Sequence, residues 1–296
     1  MNPIRDTLKE PQADFVRQVL ADAQFEEILD ALEKADLHVA PLKGILFRRW
    51  LYANPTERPL SDLDLLVPPE MEEPISAQLV GLGYTPMDSL MARFRFGAIK
   101  EKIFLREGGL PVELHRSPAS GRGAKRLSAR IFQDGLRGSA PLFRDGALIA
   151  PAEHHLLSLA FHFREHWLCF RACQLDDARR LIRLPGFDVG KLETLAKDCD
   201  ALLPLSLLFY AAEIDKTFTL PAELAFRKRL LTRRLCISEQ GCWLDLPGFQ
   251  AYGLSQGWRL ALHTLILRDS LSESTSSQVE HGLYYLKTLA DFVRKS

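Results

Sequence analysis

The chain has 296 residues, 47% hydrophobic and 26% charged, which excludes a disordered or low-complexity protein and leaves room for two domains. Lys plus Arg (38) balances Asp plus Glu (38), which argues against a protein that coats long nucleic acid. The start, Met1 to Phe15, lacks the apolar stretch of a signal peptide, and the longest apolar run, Ala201 to Ala212, contains Pro204. That run is too short to cross a hydrocarbon layer of roughly 30 Å, so the expectation is a cytoplasmic protein with no membrane partner.

Residues 11–36 are predicted to be helical, with Phe15, Val19, Ala23, Phe25, Ile28, Leu29 and Leu32 at three- and four-residue steps. A short strand over 38–42 follows. Lys43-Gly44 then opens a helix over 45–52, apolar around most of its circumference and stopped by Asn54-Pro55. A strand over 62–67 ends at Pro68-Pro69, and a helix over 70–82 ends at Gly83. Residues 99–106 and 110–116 read as a hairpin around Gly108-Gly109.

The character changes after residue 118. Ser117 to Gly123 is rich in Gly and Ser and reads as a linker. Beyond Pro151 the pattern is helical over 151–168, 172–183, 189–198, 201–214, 221–236 and, in pieces, 257–292, with 270–277 a polar loop. The predicted fold class is α+β: a small mixed sheet with helices against it over 1–118, then an all-helical domain over 119–296. The five cysteines (Cys169, Cys173, Cys199, Cys236, Cys242) contain no C-x-x-C pair and read as reduced structural thiols.

Asp62-Leu63-Asp64-Leu65-Leu66-Val67 is the most informative run. Alternate residues of a strand share a face, so Asp62 and Asp64 are expected to point one way and Leu63, Leu65 and Val67 the other. Two neighbouring carboxylates repel each other unless a cation lies between them. Oxygen ligands suit Mg²⁺ or Mn²⁺. In Val112-Glu113-Leu114-His115, Glu113 and His115 share the face opposite the apolar residues. Beside the Asp strand, Glu113 would complete an acidic trio able to hold divalent ions for phosphoryl transfer, as a ligand, as a general base for an attacking hydroxyl, or as both.

Four runs in order, Pro41-Leu42-Lys43-Gly44, Arg58-Pro59-Leu60-Ser61-Asp62-Leu63-Asp64-Leu65-Leu66-Val67, Gly81-Leu82-Gly83-Tyr84 and Val112-Glu113-Leu114-His115, carry a resemblance. Over residues 38–116 the chain resembles a family of uncharacterised bacterial nucleotidyltransferases in the DNA polymerase beta-like superfamily. The helical part is similar more loosely, through Pro151-Ala152-Glu153 and Leu175-Asp176-Asp177. The resemblance implies transfer of a nucleoside monophosphate from an NTP, ATP among them, with release of pyrophosphate. It implies Asp62 and Asp64 as the metal pair and Glu113 as the third acid.

Many members of the superfamily have Gly-Ser where this chain has Lys43-Gly44. Gly44 lets a phosphate approach a helix N-terminus, where free N–H groups favour anions. Lys43 adds a point charge, Arg58 a planar fork and Ser61 a hydroxyl donor. The alternative role for Lys43 and Arg58 is to neutralise the two aspartates.

His162-Phe163-Arg164-Glu165-His166 spells H-x-x-E-H, which on a helix sets two histidines one turn apart for a zinc ion. Leu156, Leu159, Phe163 and Trp167 lie on the same segment at core spacing, and no acidic helix follows to offer a distal ligand. The favoured use is one of these histidines, or Arg164, at a cleft facing the first domain. The leading expectation is a metal-dependent nucleotidyltransferase binding a nucleotide and an acceptor between its domains: a small molecule, a peptide or protein, or an RNA end. The other is an inactive nucleotide-binding or interaction module of the same fold.

Overall fold

The long N-terminal helix α1 (Glu10–Lys34) buries Ala21, Phe25, Ile28, Leu29 and Leu32 along its C-terminal half. Phe15, Val19 and Ala23, predicted on that same stripe, are exposed, and the buried residue between Phe15 and Val19 is Gln18. Its side-chain oxygen accepts from the Leu60 N–H (3.0 Å) and from Arg48, so a polar contact displaces the apolar one. The computed structural model describes residues 10–87, 101–137, 146–165, 172–212, 214, 235–238 and 241–244. Within it the chain divides into two compact units, Met1–Arg116 with Ile131–Ala150, and Ser117–Arg130 with Pro151–Ser296.

The first unit is built on a five-stranded mixed sheet. Its strands are β1 (Ala40–Pro41), β2 (Leu63–Leu66), β3 (Thr85–Pro86), β4 (Glu101–Leu105) and β5 (Val112–His115), in the order β1-β2-β5-β4-β3. β2 runs parallel to β5 and every other pair is antiparallel. The β4–β5 hairpin turns through Gly108, whose φ of 74° is open to glycine at no steric cost. All four β2 residues are buried, rather than alternating, because the strand lies inside the sheet with both faces covered.

Helix α2 (Lys43–Leu51) follows β1 directly. It is tied to α1 by Arg48, which donates to the Gln18 carbonyl (3.0 Å) and to Asp22 (2.7 Å), and by Arg49, which pairs with Asp22 and Glu26. Helix α3 (Glu72–Gly81) ends where Gly83 takes a φ of 85°. Gln24 of α1 bonds both backbone groups of Leu110, at 2.7 and 2.8 Å, and so fixes the chain entering β5. Together these contacts make a rigid frame around β2 and β5.

In the second unit, helices Ala152–Glu165, Ala172–Leu181, Val189–Asp198 and Leu202–Ala211 match the predicted helical pattern. Asp188 caps the third, its carboxylate accepting from Gly190 N (2.8 Å) and Lys191 N (3.1 Å). The fourth is apolar around its circumference and buried as a core helix. Among the described residues no helix is long and apolar enough to cross a membrane.

Two parts of this unit depart from the sequence reading. The segment expected to be a linker is buried from Ser117 to Gly121, and a helix, Arg122–Asp134, follows it, with residues 122–130 in this unit and 131–134 in the first. Ser117 bonds the Ala119 carbonyl (2.7 Å) and Ser120 bonds Glu165 through backbone and hydroxyl, which satisfies polar groups that would otherwise need water. Leu235 and Cys236, expected to end a helix, instead open a strand, Leu235–Ser238, paired antiparallel with Gly241–Leu244. The rest of the helix predicted over 221–236, and the pieces predicted over 257–292, lie outside the described residues.

Candidate active site

The register of β2 and β5 sets Asp64 opposite Glu113 and Leu66 opposite His115. Leu63 N–H donates to the Pro111 carbonyl and Val67 N–H to that of His115, both at 2.8 Å, so the ladder is tied beyond both ends of the strands. Asp64 is buried at 6% exposure, and its carboxylate is the centre of the cluster. His115 Nε2 lies 2.7 Å from Asp64 Oδ1 and 3.5 Å from Glu113 Oε2. Lys43 Nζ lies 3.3 Å from that same Asp64 oxygen.

Asp62 stands one residue before β2 and is partly exposed, not within the strand as predicted. Ser61, which is exposed, donates its hydroxyl to Asp62 at 3.0 Å. Burial and the charges of Asp64 and Glu113 push Asp62 up to about 6, against the opposing pull of Lys43. Burial opposes the charge on His115, but its bonds to Asp64 and Glu113 outweigh this and lift it to about 9. Burial opposes the charge of Lys43 too, and Asp64, Asp62 and Glu113 overcome it to raise Lys43 further. An acidic site held together by a buried histidine and a largely buried lysine has the charge deficit that a divalent ion relieves.

Lys43 begins α2 with a φ of 43°, a left-handed conformation disfavoured for a side chain with a Cβ. Gly44 is buried, and a Cβ there would meet Leu60 Cδ2 at 3.0 Å. A side chain here would have to push that leucine methyl aside, so close packing favours glycine at this position. Arg58 is buried at 7% exposure and donates to the Pro59 carbonyl at 3.1 Å.

Glu101 completes the group and was not among the residues singled out from sequence. It sits opposite His115 in the β4–β5 register, with Oε2 3.4 Å from His115 Nδ1. Burial raises its pKa, His115 opposes that shift and Glu113 adds to it. Nothing in the run Glu101-Lys102-Ile103-Phe104-Leu105 signals this role, because it does not alternate in polarity. His115 did carry a signal: it shares a face with Glu113 two residues earlier. Among the described residues, the His, Cys, Asp and Glu side chains grouped closely enough to hold an ion are Asp64, Glu113 and His115. Donor atoms of this kind fit a divalent cation of modest size.

The H-x-x-E-H segment is only partly described, His166 lying outside. His162 contacts the Gln174 amide (3.1 Å), Glu165 receives Ser120, and Arg164 is buried and donates to the Ser120 carbonyl (2.8 Å). Cys173 and Cys199 are free thiols. Burial raises the Cys199 thiol to about 12 and makes it inert.

Carboxylates that face each other from two parallel strands, beside a helix start, could hold a divalent ion against phosphate oxygens. The family described as uncharacterised nucleotidyltransferase matches residues 2–214. The chain belongs to that family and is a transferase of the nucleotidyltransferase class. No curated protein matches it. Among solved structures, it is similar to a solution structure of the antibiotic-resistance factor ANT(2'')-Ia, with 15% identity, a TM-score of 0.42, and coverage of 62% of this chain and 91% of that one. A crystal structure of ANT(2'')-Ia in complex with adenylyl-2''-tobramycin gives 14% identity, a TM-score of 0.41, and coverage of 60% and 95%. Scores this low add nothing to the family assignment.

Proposed function

We propose that the protein transfers a nucleoside monophosphate from an NTP, ATP among the donors, to an acceptor in a reaction dependent on Mg²⁺ or Mn²⁺. The observation that supports this most is Asp64 facing Glu113 across parallel strands with Asp62 two residues away. Asp62, Asp64 and Glu113 would hold the metal, which when bound offsets the charge of the triphosphate and of the developing transition state. The acceptor oxygen attacks the α-phosphorus, the bond from that phosphorus to the β-bridging oxygen breaks, and pyrophosphate leaves. The acceptor proton passes to Glu113 or to solvent.

In this reading Lys43 has two partners in turn. Without nucleotide it neutralises Asp64, and with nucleotide it turns to a phosphate oxygen. The N–H groups at the start of α2, from Gly44 onward, face the same phosphates. Ser61, exposed beside Asp62, supplies a hydroxyl donor, and Arg58 contributes positive field from its buried position. The acceptor is a small molecule, a peptide or protein, or an RNA end, and NTP consumption suits the cytoplasm. The test is incubation with each α-phosphate-labelled NTP and Mg²⁺ or Mn²⁺, with and without cell extract. Label should reach an acceptor with the native protein and not with Asp64→Asn. Equal labelling by both would remove Asp64 from the mechanism.

A further inference from the structure

Three acidic side chains account for a Mg²⁺ site; without an ion His115 balances their charge, and an ion bound at its Nε2 takes the place of the proton there. The His115 Nε2 points between the carboxylates of Asp64 and Glu113, at 2.7 and 3.5 Å from their oxygens. Donors sharing one ion through bonds of about 2.1 Å stand about 3 Å apart at right angles, so both spacings suit common ligands. Asp64, Glu113 and His115 each offer an atom within 4.8 Å of the others, a grouping that does not include Asp62. The far nitrogen of the ring, Nδ1, faces Glu101 Oε2 at 3.4 Å across the β4–β5 ladder. A carboxylate behind a histidine is how metal-bound imidazoles are oriented in general.

We propose that His115 is a metal ligand through Nε2, that Glu101 positions it through Nδ1, and that the mixed nitrogen–oxygen site favours a transition ion such as Mn²⁺ over Mg²⁺. This rests on the metal-dependent reading above and sharpens it. A nitrogen donor strengthens binding of first-row transition ions and does little for Mg²⁺, which prefers oxygen. The position also explains why an imidazole is buried at 5% exposure on a strand whose other inward residues are aliphatic or acidic. Fixing its second nitrogen removes the ring flip that would turn Nε2 away from the site. Because His115 and Glu101 lie on the two strands of a tight hairpin, the pair is set by backbone register and needs no loop to close.

The test is made on the whole protein loaded with Mn²⁺, with and without a non-hydrolysable NTP. Pulsed electron paramagnetic resonance reads a directly bound ¹⁴N nucleus, and labelling histidine with ¹⁵N changes that signal in the native protein, so no variant need fold. Calorimetry of Mn²⁺ and Mg²⁺ on the native protein, His115→Gln and Glu101→Gln supplies the second readout. The expected result is a histidine nitrogen signal lost in His115→Gln. Mn²⁺ affinity should fall roughly 10- to 100-fold in either variant, with Mg²⁺ affinity changed much less. Bound Mn²⁺ without any histidine nitrogen would overturn the inference and leave the metal-dependent reading standing. No binding of either ion, with or without the nucleotide, would overturn both.

Discussion

Lys43 is the residue at which the site and the backbone compete. Its φ of 43° is a conformation glycine takes freely, yet the position carries a lysine whose ammonium reaches Asp64 at 3.3 Å. Left-handed backbone costs a residue with a Cβ about 1 kcal/mol. Lys43→Gly and Lys43→Ala remove the same ion pair, but only glycine releases the strain. Lys43→Gly should therefore be more stable than Lys43→Ala by about 1 kcal/mol in urea unfolding, and equal midpoints would show that the strain is illusory. Asp62 presents the converse case. Burial, Asp64 and Glu113 disfavour its charge, so Asp62→Asn should melt higher than the native protein in the absence of metal. The same variant should lose transfer by roughly 10²-fold or more, a trade of stability against activity read by calorimetry and label transfer together.

At the scale of elements, α3 is anchored to the sheet through Glu72. This carboxylate is almost fully buried and receives Arg116 (2.9 Å from Nη2) and Lys102 (2.8 Å). Burial alone would raise its pKa, but the bonds from Arg116 and Lys102 outweigh burial and lower it. A depressed folded-state pKa stabilises the protein above the unfolded value and loses that contribution as pH falls through the folded one. Glu72→Gln should thus cost about 1–2 kcal/mol near neutral pH, a difference that narrows below about pH 4. A gap that stayed constant with pH would mean the anchor is steric. In the second unit, Gly123 is packed so closely that a Cβ on it would lie 1.9 Å from the Cys199 carbonyl oxygen. Backbone cannot yield as a side-chain tip can. Gly123→Ala is expected to destabilise by about 3 kcal/mol, seen as a lower denaturation midpoint.

For the whole molecule, ligand binding and stability are linked. A metal–nucleotide pair bound only by the folded protein at about 100 times its dissociation constant adds about 2.7 kcal/mol. Mn²⁺ with a non-hydrolysable NTP should raise the melting temperature of the native protein, and chelator should reverse the rise. Asp64→Asn should show almost none of it. A shift of equal size in that variant would move the binding site away from the β2–β5 pair.

Local patterns reached a long way into this protein. The run Asp62 to Val67 announced a strand with acids at its start, and Gly108-Gly109 announced the hairpin that carries Glu113. Helices over 152–165, 172–181, 189–198 and 202–211 were legible because a 3.6-residue period in apolar residues is a short-range property. The helix Arg122–Asp134 was not, since its glycine and serine approach reads as loop until tertiary contacts bury it. Glu101 lay equally out of reach. Its place behind His115 depends on the β4–β5 register, and that of His115 beside Asp64 on β5 pairing with the more distant β2. Sequence by itself determined which residues could form strands, turns and helices, and that acids would gather at β2. Only the tertiary structure decided which of them share a site, because pairing across a sheet is set by long-range packing and not by neighbours in the chain.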